Sequence, residues 1–234
     1  MPKERSGLAS AQQLQNQYKE FNYGAVDGFN YESDGGETER FFDEHSNVND
    51  LIEQMSYQER RAFETWATGW FMNGQQWQGY ENMRPRDQEM TKIYDKYLDQ
   101  AKLDRGIVVC RIGSARLLGL DSGKASSLEQ LQALEGQIIP AKGNMSFGAA
   151  KEGLMIGGER SKNVEFRLHI PGGTTGAGMW IGDSRINGWG SDQREYLTNR
   201  DTLMEIGKTK YDRRRGLYVV ELKYRGRQAH DYGR

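Results

Sequence analysis

The spacing of apolar positions along the chain changes twice. Up to about residue 45 they are sparse among Gln, Asn, Glu and Gly, and no period emerges. Residues 1–45 are therefore expected to form a mostly extended or disordered arm, with one short helix over 11–21. From 47 to 105 the spacing turns helical. Asn49 and Asp50 can cap a helix that carries Leu51, Ile52 and Met55 on one face, and Ser56-Tyr57-Gln58-Glu59 has the form of a capping box. Phe63, Trp66, Trp70 and Phe71 follow at spacings of three, four and one, an amphipathic stripe expected to be core. Gly74 and Gly79 interrupt. Arg84-Pro85-Arg86 then marks a break or a new helix start, and Met90, Ile93, Tyr94, Tyr97 and Leu98 give another helical face, ended by Asp104-Arg105-Gly106.

After residue 106 the period drops to two. Ile107-Val108-Val109-Cys110 is a short buried-strand run, and Val164, Phe166, Leu168 and Ile170 alternate inward against outward Glu165, Arg167 and His169. Further strands are expected at 179–181, 195–197, 202–206 and 217–222, with one helix at 127–134. Helices first and strands afterwards predict an α+β fold, its helices packed on a strand-rich core. The organisation expected is an arm, 1–45, and one domain, 46–234, helical over 47–105 and strand-rich over 106–224.

Composition narrows the classes of function. At 234 residues the chain holds about one to two domains. Its 29 glycines are about 12% of the residues, against a typical ~7%, and most fall in the strand-rich part, where they imply tight turns and close backbone approaches. Cys110 stands alone and only His45, His169 and His230 accompany it, so neither a disulfide framework nor a metal site is expected. The net charge of −1 argues against global attraction to nucleic acid, although acidic residues dominate 31–66 and basic ones the tail 207–234. No apolar run approaches the ~18–20 residues of a bilayer span, and the start MPKERSGLAS lacks the apolar block of a secretory signal. No membrane partner is expected, and the location expected is cytoplasmic, in the producing cell or in a host.

The chain carries no Walker loop, no G-x-G-x-x-G between strand and helix, no G-x-S-x-G elbow and no H-E-x-x-H. Three separated features remain in the strand-rich part. Arg111 ends the run Ile107-Val108-Val109-Cys110 and precedes Ile112-Gly113. Gly136-Gln137-Ile138-Ile139 leads into Gly143-Asn144-Met145-Ser146-Phe147-Gly148. Trp189-Gly190-Ser191-Asp192-Gln193-Arg194-Glu195 leads into Tyr196-Leu197. Taken singly, each has a bland explanation: a surface charge, a turn serine, a solvated strand edge.

Taken in order, they resemble the arginine–serine–glutamate class of mono-ADP-ribosyltransferases, the family of C3-like and binary actin-modifying bacterial exoenzymes. Val109-Cys110-Arg111-Ile112-Gly113 is similar to that family's strand-end arginine followed by glycine. The run from Gly136 to Ser146 is similar to the lead-in of its Ser-Thr-Ser strand, with Ser146 in the first place and Phe147 and Gly148 in the other two. Gln193-Arg194-Glu195 looks like the glutamine form of its acidic pair, and the segment from Leu168 to Ala177 resembles a fourth block. The likeness spans about 47–224.

The resemblance implies a mixed β-sandwich core and NAD as co-substrate without a metal. ADP-ribose would pass to a macromolecular acceptor, a protein side chain in preference to nucleic acid. It makes Glu195 the carboxylate that stabilises positive charge on the ribose and Arg111 the diphosphate ligand, with Gly113 beside it in the NAD site. Ser146 would orient Glu195 or the ribose, and Gln193 the incoming nucleophile. Gly143 and Gly148 would let backbone approach the dinucleotide, and Trp189 would stack on the acceptor. Such proteins are often toxins or phage-delivered effectors. Two rival classes stay open: an NAD glycohydrolase, and an inactive interaction protein of the same fold, to which Phe147 and Gly148 lend support.

Overall fold

The computed structural model describes residues 35–68, 75–120, 124–149, 154–155, 163–187, 194–230 and 232. Helices come first: α1 (Gly35–His45), α2 (Val48–Gln54), α3 (Tyr57–Thr68) and α4 (Pro85–Leu98). α1 corrects the expectation that the arm reaches residue 45. Thr38, Phe41, Phe42 and His45 recur at helical spacing, and the first three are buried. Phe42 stacks on Trp180 at 4.8 Å, tying this helix to the strands. The rest of the arm, with the helix expected over 11–21, lies outside the described residues.

Asn47, rather than Asn49, precedes α2, and its side chain accepts the Lys102 N–H and donates to the Gln100 carbonyl. The capping box of α3 forms as expected: the Ser56 N–H donates to Glu59 Oε2 at 2.8 Å and the Glu59 N–H to Ser56 Oγ at 3.3 Å. Pro85 opens α4, where a missing N–H does no harm. The two helices pack through aromatic edges, with Phe63 and Trp66 meeting Tyr94 at 5.3 and 5.5 Å. The buried Tyr94 hydroxyl donates to the Ala62 carbonyl at 2.8 Å.

The strands follow as β1 (Lys102–Leu103), β2 (Ile107–Gly113), β3 (Ile138–Pro140), β4 (Met145–Gly148), β5 (Leu154–Met155), β6 (Val164–Ile170), β7 (Thr174–Thr175), β8 (Gly178–Trp180), β9 (Glu195–Thr198), β10 (Thr202–Asp212) and β11 (Leu217–Arg227). Helix α5 (Leu128–Gln132) interrupts them, its first turn capped by Ser127. Among the described residues β1 pairs with β7, and the other nine form one sheet in the order β3-β10-β11-β6-β2-β4-β9-β8, with β5 also on β2. The sheet is mixed, since β11 runs parallel to β6 and β5 parallel to β2. The architecture is the α+β one expected from the sequence.

One joint in this sheet is thin. β2 and β4 share a single residue pair, Cys110 with Gly148; one residue later β2 pairs instead with β5, Arg111 with Leu154. The five-strand half β3-β10-β11-β6-β2 and the three-strand half β4-β9-β8 therefore meet at a seam.

The two faces of β6 differ from the alternation read in the sequence. Val164, Phe166, Leu168 and Ile170 are fully buried as expected, but Glu165 and His169 are buried too. A buried carboxylate needs partners. Glu165 has Arg167 Nε at 2.6 Å and an ion pair with Arg215, and His169 meets Glu221 Oε2 at 2.6 Å. Alternation records which face a residue occupies, not whether that face is dry.

Candidate active site

The seam gathers the sequence candidates. Directly paired residues of adjacent antiparallel strands share a face. Ser146 pairs with Leu197 and Gly148 with Glu195, so Ser146 and Glu195 are diagonal neighbours on one face of β4 and β9. Glu195 is held at its backbone from both sides, its carbonyl accepting the Ile181 N–H at 2.9 Å while the preceding Arg194 carbonyl accepts the Ala149 N–H at 2.8 Å. Arg194 reaches this position with φ of 44°, a left-handed conformation that costs a non-glycine residue on the order of 1 kcal/mol.

A third residue completes the face. The Trp66 indole N–H, presented by α3, is shared between Glu195 Oε1 at 3.0 Å and Ser146 Oγ at 3.1 Å. The carboxylate is 3% exposed. Burial pushes its pKa up from the usual carboxylate range, and hydrogen bonds from Ser146 and Trp66 and the charge of Arg111 pull it part of the way back.

Arg111 stands at the seam itself. Its guanidinium lies 5.6 Å from the Phe147 ring centroid, and its charge acts on Glu195. Nε and Nη1 are shielded from solvent and have no acceptor among the described residues. Burial holds the guanidinium down to about 10, against the opposing attraction of Glu195. Two shielded donors without an acceptor among the described residues are costly on a charged side chain, although the residue as a whole is partly exposed.

Arg111, Ser146 and Glu195 thus meet at one seam, though far apart in sequence. Gly113, two residues beyond Arg111, has ordinary space: an added Cβ would lie 3.4 Å from Phe166 and 3.5 Å from Arg111 Nε. Gln193 and Trp189 lie outside the described residues. Gly143 corrects the reading of backbone cleared for a dinucleotide. The place of its absent Cβ is filled by Gln76 and Trp77, with atoms at 2.9 to 3.1 Å. Gln76 also donates to Asn144 Oδ1 at 2.5 Å and accepts the Asn144 N–H at 2.7 Å, fixing the turn that delivers Ser146. Neither Gln76 nor the indole of Trp66 was picked out by sequence reasoning. Periodicity marked Trp66 as a core position, and it is buried; only its N–H betrays a second task.

Among the described residues no cluster of His, Cys, Asp and Glu could hold a metal ion, and no helix is long and apolar enough to cross a membrane. No family model matches the chain, and no curated protein matches it in sequence.

The fold is that of the C3-like ADP-ribosyltransferase exoenzymes. The ADP-ribosyltransferase toxin Plx2a from Paenibacillus larvae superposes with a TM-score of 0.68 at 17% identity, covering 84% of this chain and 98% of that one. The Clostridium limosum C3 exoenzyme gives 0.66 at 13% identity over 84% and 97%. C3stau2 from S. aureus, solved with NAD, gives 0.63 at 15% identity over 82% and 96%. At these identities the likeness is one of fold.

Proposed function

We propose that this chain is an NAD-dependent mono-ADP-ribosyltransferase that releases nicotinamide and passes ADP-ribose to a macromolecular acceptor, a protein side chain in preference to nucleic acid. The observation that carries this reading is the convergence at the β2–β4 seam of Ser146, Glu195 and Arg111, two of whose donors have no acceptor among the described residues. These residues fit the dinucleotide. The planar guanidinium fork suits the oxygens of a diphosphate, and a buried carboxylate beside it suits a ribose that becomes cationic.

In the reaction proposed, the bond between ribose C1′ and the pyridinium nitrogen breaks, and its electron pair leaves with neutral nicotinamide. The ribose acquires oxocarbenium character. Glu195, ionised, accepts a hydrogen bond from the ribose 2′-hydroxyl and stabilises that charge, a preorganised electrostatic contribution on the order of 10²–10³ in rate. Ser146 orients Glu195. The acceptor's nucleophilic atom then bonds to C1′ and gives up its proton. Gln193 is proposed to orient the acceptor, Trp189 to stack on it and Gly113 to border the NAD site, all three on the sequence alone. The name of the neighbour Plx2a favours a toxin role; an acceptor in a host cytoplasm is proposed with it.

The test is incubation of the purified protein with a cell lysate and NAD labelled in its adenylate phosphate. Label on protein, lost in Glu195→Gln, is the expected result. Free ADP-ribose alone would make the protein a glycohydrolase. Label on nucleic acid would overturn the acceptor class, and intact NAD would leave an inactive interaction protein.

A further inference from the structure

Gly148 pairs in register with Glu195 and offers no side-chain donor. Yet a carboxylate that is 3% exposed cannot stay ionised without donors. Ser146 is one donor, and a second comes from another element. Trp66, itself 7% exposed, aims its one N–H between Glu195 Oε1 and Ser146 Oγ. Its ring is braced edge-on by Tyr94 at 5.5 Å with the planes 80° apart, and Tyr94 is anchored to the backbone of α3 through Ala62.

We propose that Trp66 is a positioning residue: its shared N–H fixes the Glu195 carboxylate against Ser146. An aromatic N–H on a rigid helix is well suited to this, because the side chain has only two torsions to lock and both are held by packing. The charged and titratable groups that face Glu195 are few among the described residues: Arg111 from β2, Ser146 from β4 and Trp66 from α3. Removing the indole donor leaves Arg111 and Ser146 alone to oppose burial, so the proton is held more tightly. The catalytic consequence rests on the reading of Glu195 proposed above; the effect on the carboxylate does not.

The experiment therefore has two arms. In the first, the Glu195 carboxyl is titrated by 13C NMR in protein carrying labelled glutamate, its signal assigned by its absence in Glu195→Gln. Trp66→Phe should raise the pKa by about one to two units, the range expected for one hydrogen bond to a charged group. An unchanged titration overturns the proposal. In the second arm, the acid limb of NAD consumption should move to higher pH by the same amount. The kcat should fall about tenfold with KM for NAD within about twofold, since the lost interaction acts in the transition state. An acid limb and kcat that stay put overturn it as well. Should wild-type protein leave NAD intact, the enzymatic reading falls while the NMR arm still decides the role of Trp66. If the phenylalanine variant does not fold, 3-benzothienylalanine at position 66 keeps the indole shape without the N–H and must give the same shift.

Discussion

Arg111 carries two shielded guanidinium nitrogens with no acceptor among the described residues, lies 5.6 Å from the Phe147 ring centroid and is attracted by the Glu195 carboxylate. Removing the guanidinium relieves its own burial cost but leaves the buried Glu195 carboxylate without its attraction, so the two effects on stability oppose each other. Arg111→Met should therefore change the melting temperature little, while NAD affinity measured by calorimetry falls at least tenfold, the worth of one to two charge-assisted hydrogen bonds. A clear drop in melting temperature with unaltered NAD affinity would make Arg111 a structural residue. At this scale the sequence was informative for chemistry carried by charged side chains at strand ends, such as Arg111 and Glu195. It was silent on Trp66, because an apolar stripe predicts burial and says nothing of where an indole N–H points.

Among elements, the turn before β4 decides how accurately Ser146 is delivered. Gln76 fills the space over Gly143 and satisfies both the side chain and the N–H of Asn144, which in turn donates to the Thr198 carbonyl at 3.1 Å. Truncating it strands buried polar groups, at roughly 1–3 kcal/mol. Gln76→Ala should lower unfolding free energy by about 2 kcal/mol in urea and reduce NAD turnover as Ser146 loses its register; a change below about 0.5 kcal/mol would show the network to be incidental. Legibility here followed local signals. The capping box at Ser56 and Glu59 and the Pro85 start were readable because each is written within four residues. α1 was missed because its apolar face is only Phe41 and Phe42 amid Glu, Asp and Gly, and it is packing on Trp180 and Tyr196 that makes it pay. The dry rear face of β6 was missed for the same reason, since Glu165 and His169 are buried by partners distant in sequence.

Across the whole molecule, His230 and Tyr232, beyond β11, close back on α4 and the turn before β10. His230 places Nδ1 3.1 Å from Asp201 and Nε2 2.9 Å from Asp99 and 3.6 Å from Asp95, while Tyr232 donates to Asp95 at 2.8 Å and Arg200 binds Asp95 through Nε and Nη2. Burial alone would depress the imidazole pKa, but Asp201 and Asp99 outweigh it and leave it raised. Conversely, Asp99 lies below its ordinary value: burial raises it, and His230 and Asn199 more than compensate. A raised histidine stabilises the fold fully below its unfolded pKa, about 6.5, and that stabilisation is lost as pH climbs through the folded value. The stability gap between wild type and His230→Ala should thus be widest near about pH 6 and shrink towards about pH 9 in urea titrations. A gap independent of pH would show that the ring acts by packing alone. The topology that creates this closure, like the seam between β2 and β4, could not be read from the chain. Strand order and the parallel pairing of β11 with β6 are set by long-range packing, which a local pattern does not encode.

If Arg111, Ser146 and Glu195 act as one NAD-cleaving site, as proposed, nicotinamide release from NAD depends on the carboxylate. Followed side by side in the wild-type protein and in Glu195→Gln, release should be steady in the wild type and fall by a factor on the order of 10²–10³ in the variant, with NAD affinity little changed. Release that continues at the wild-type rate without the carboxylate would contradict the proposal, as would a wild-type protein that leaves NAD whole.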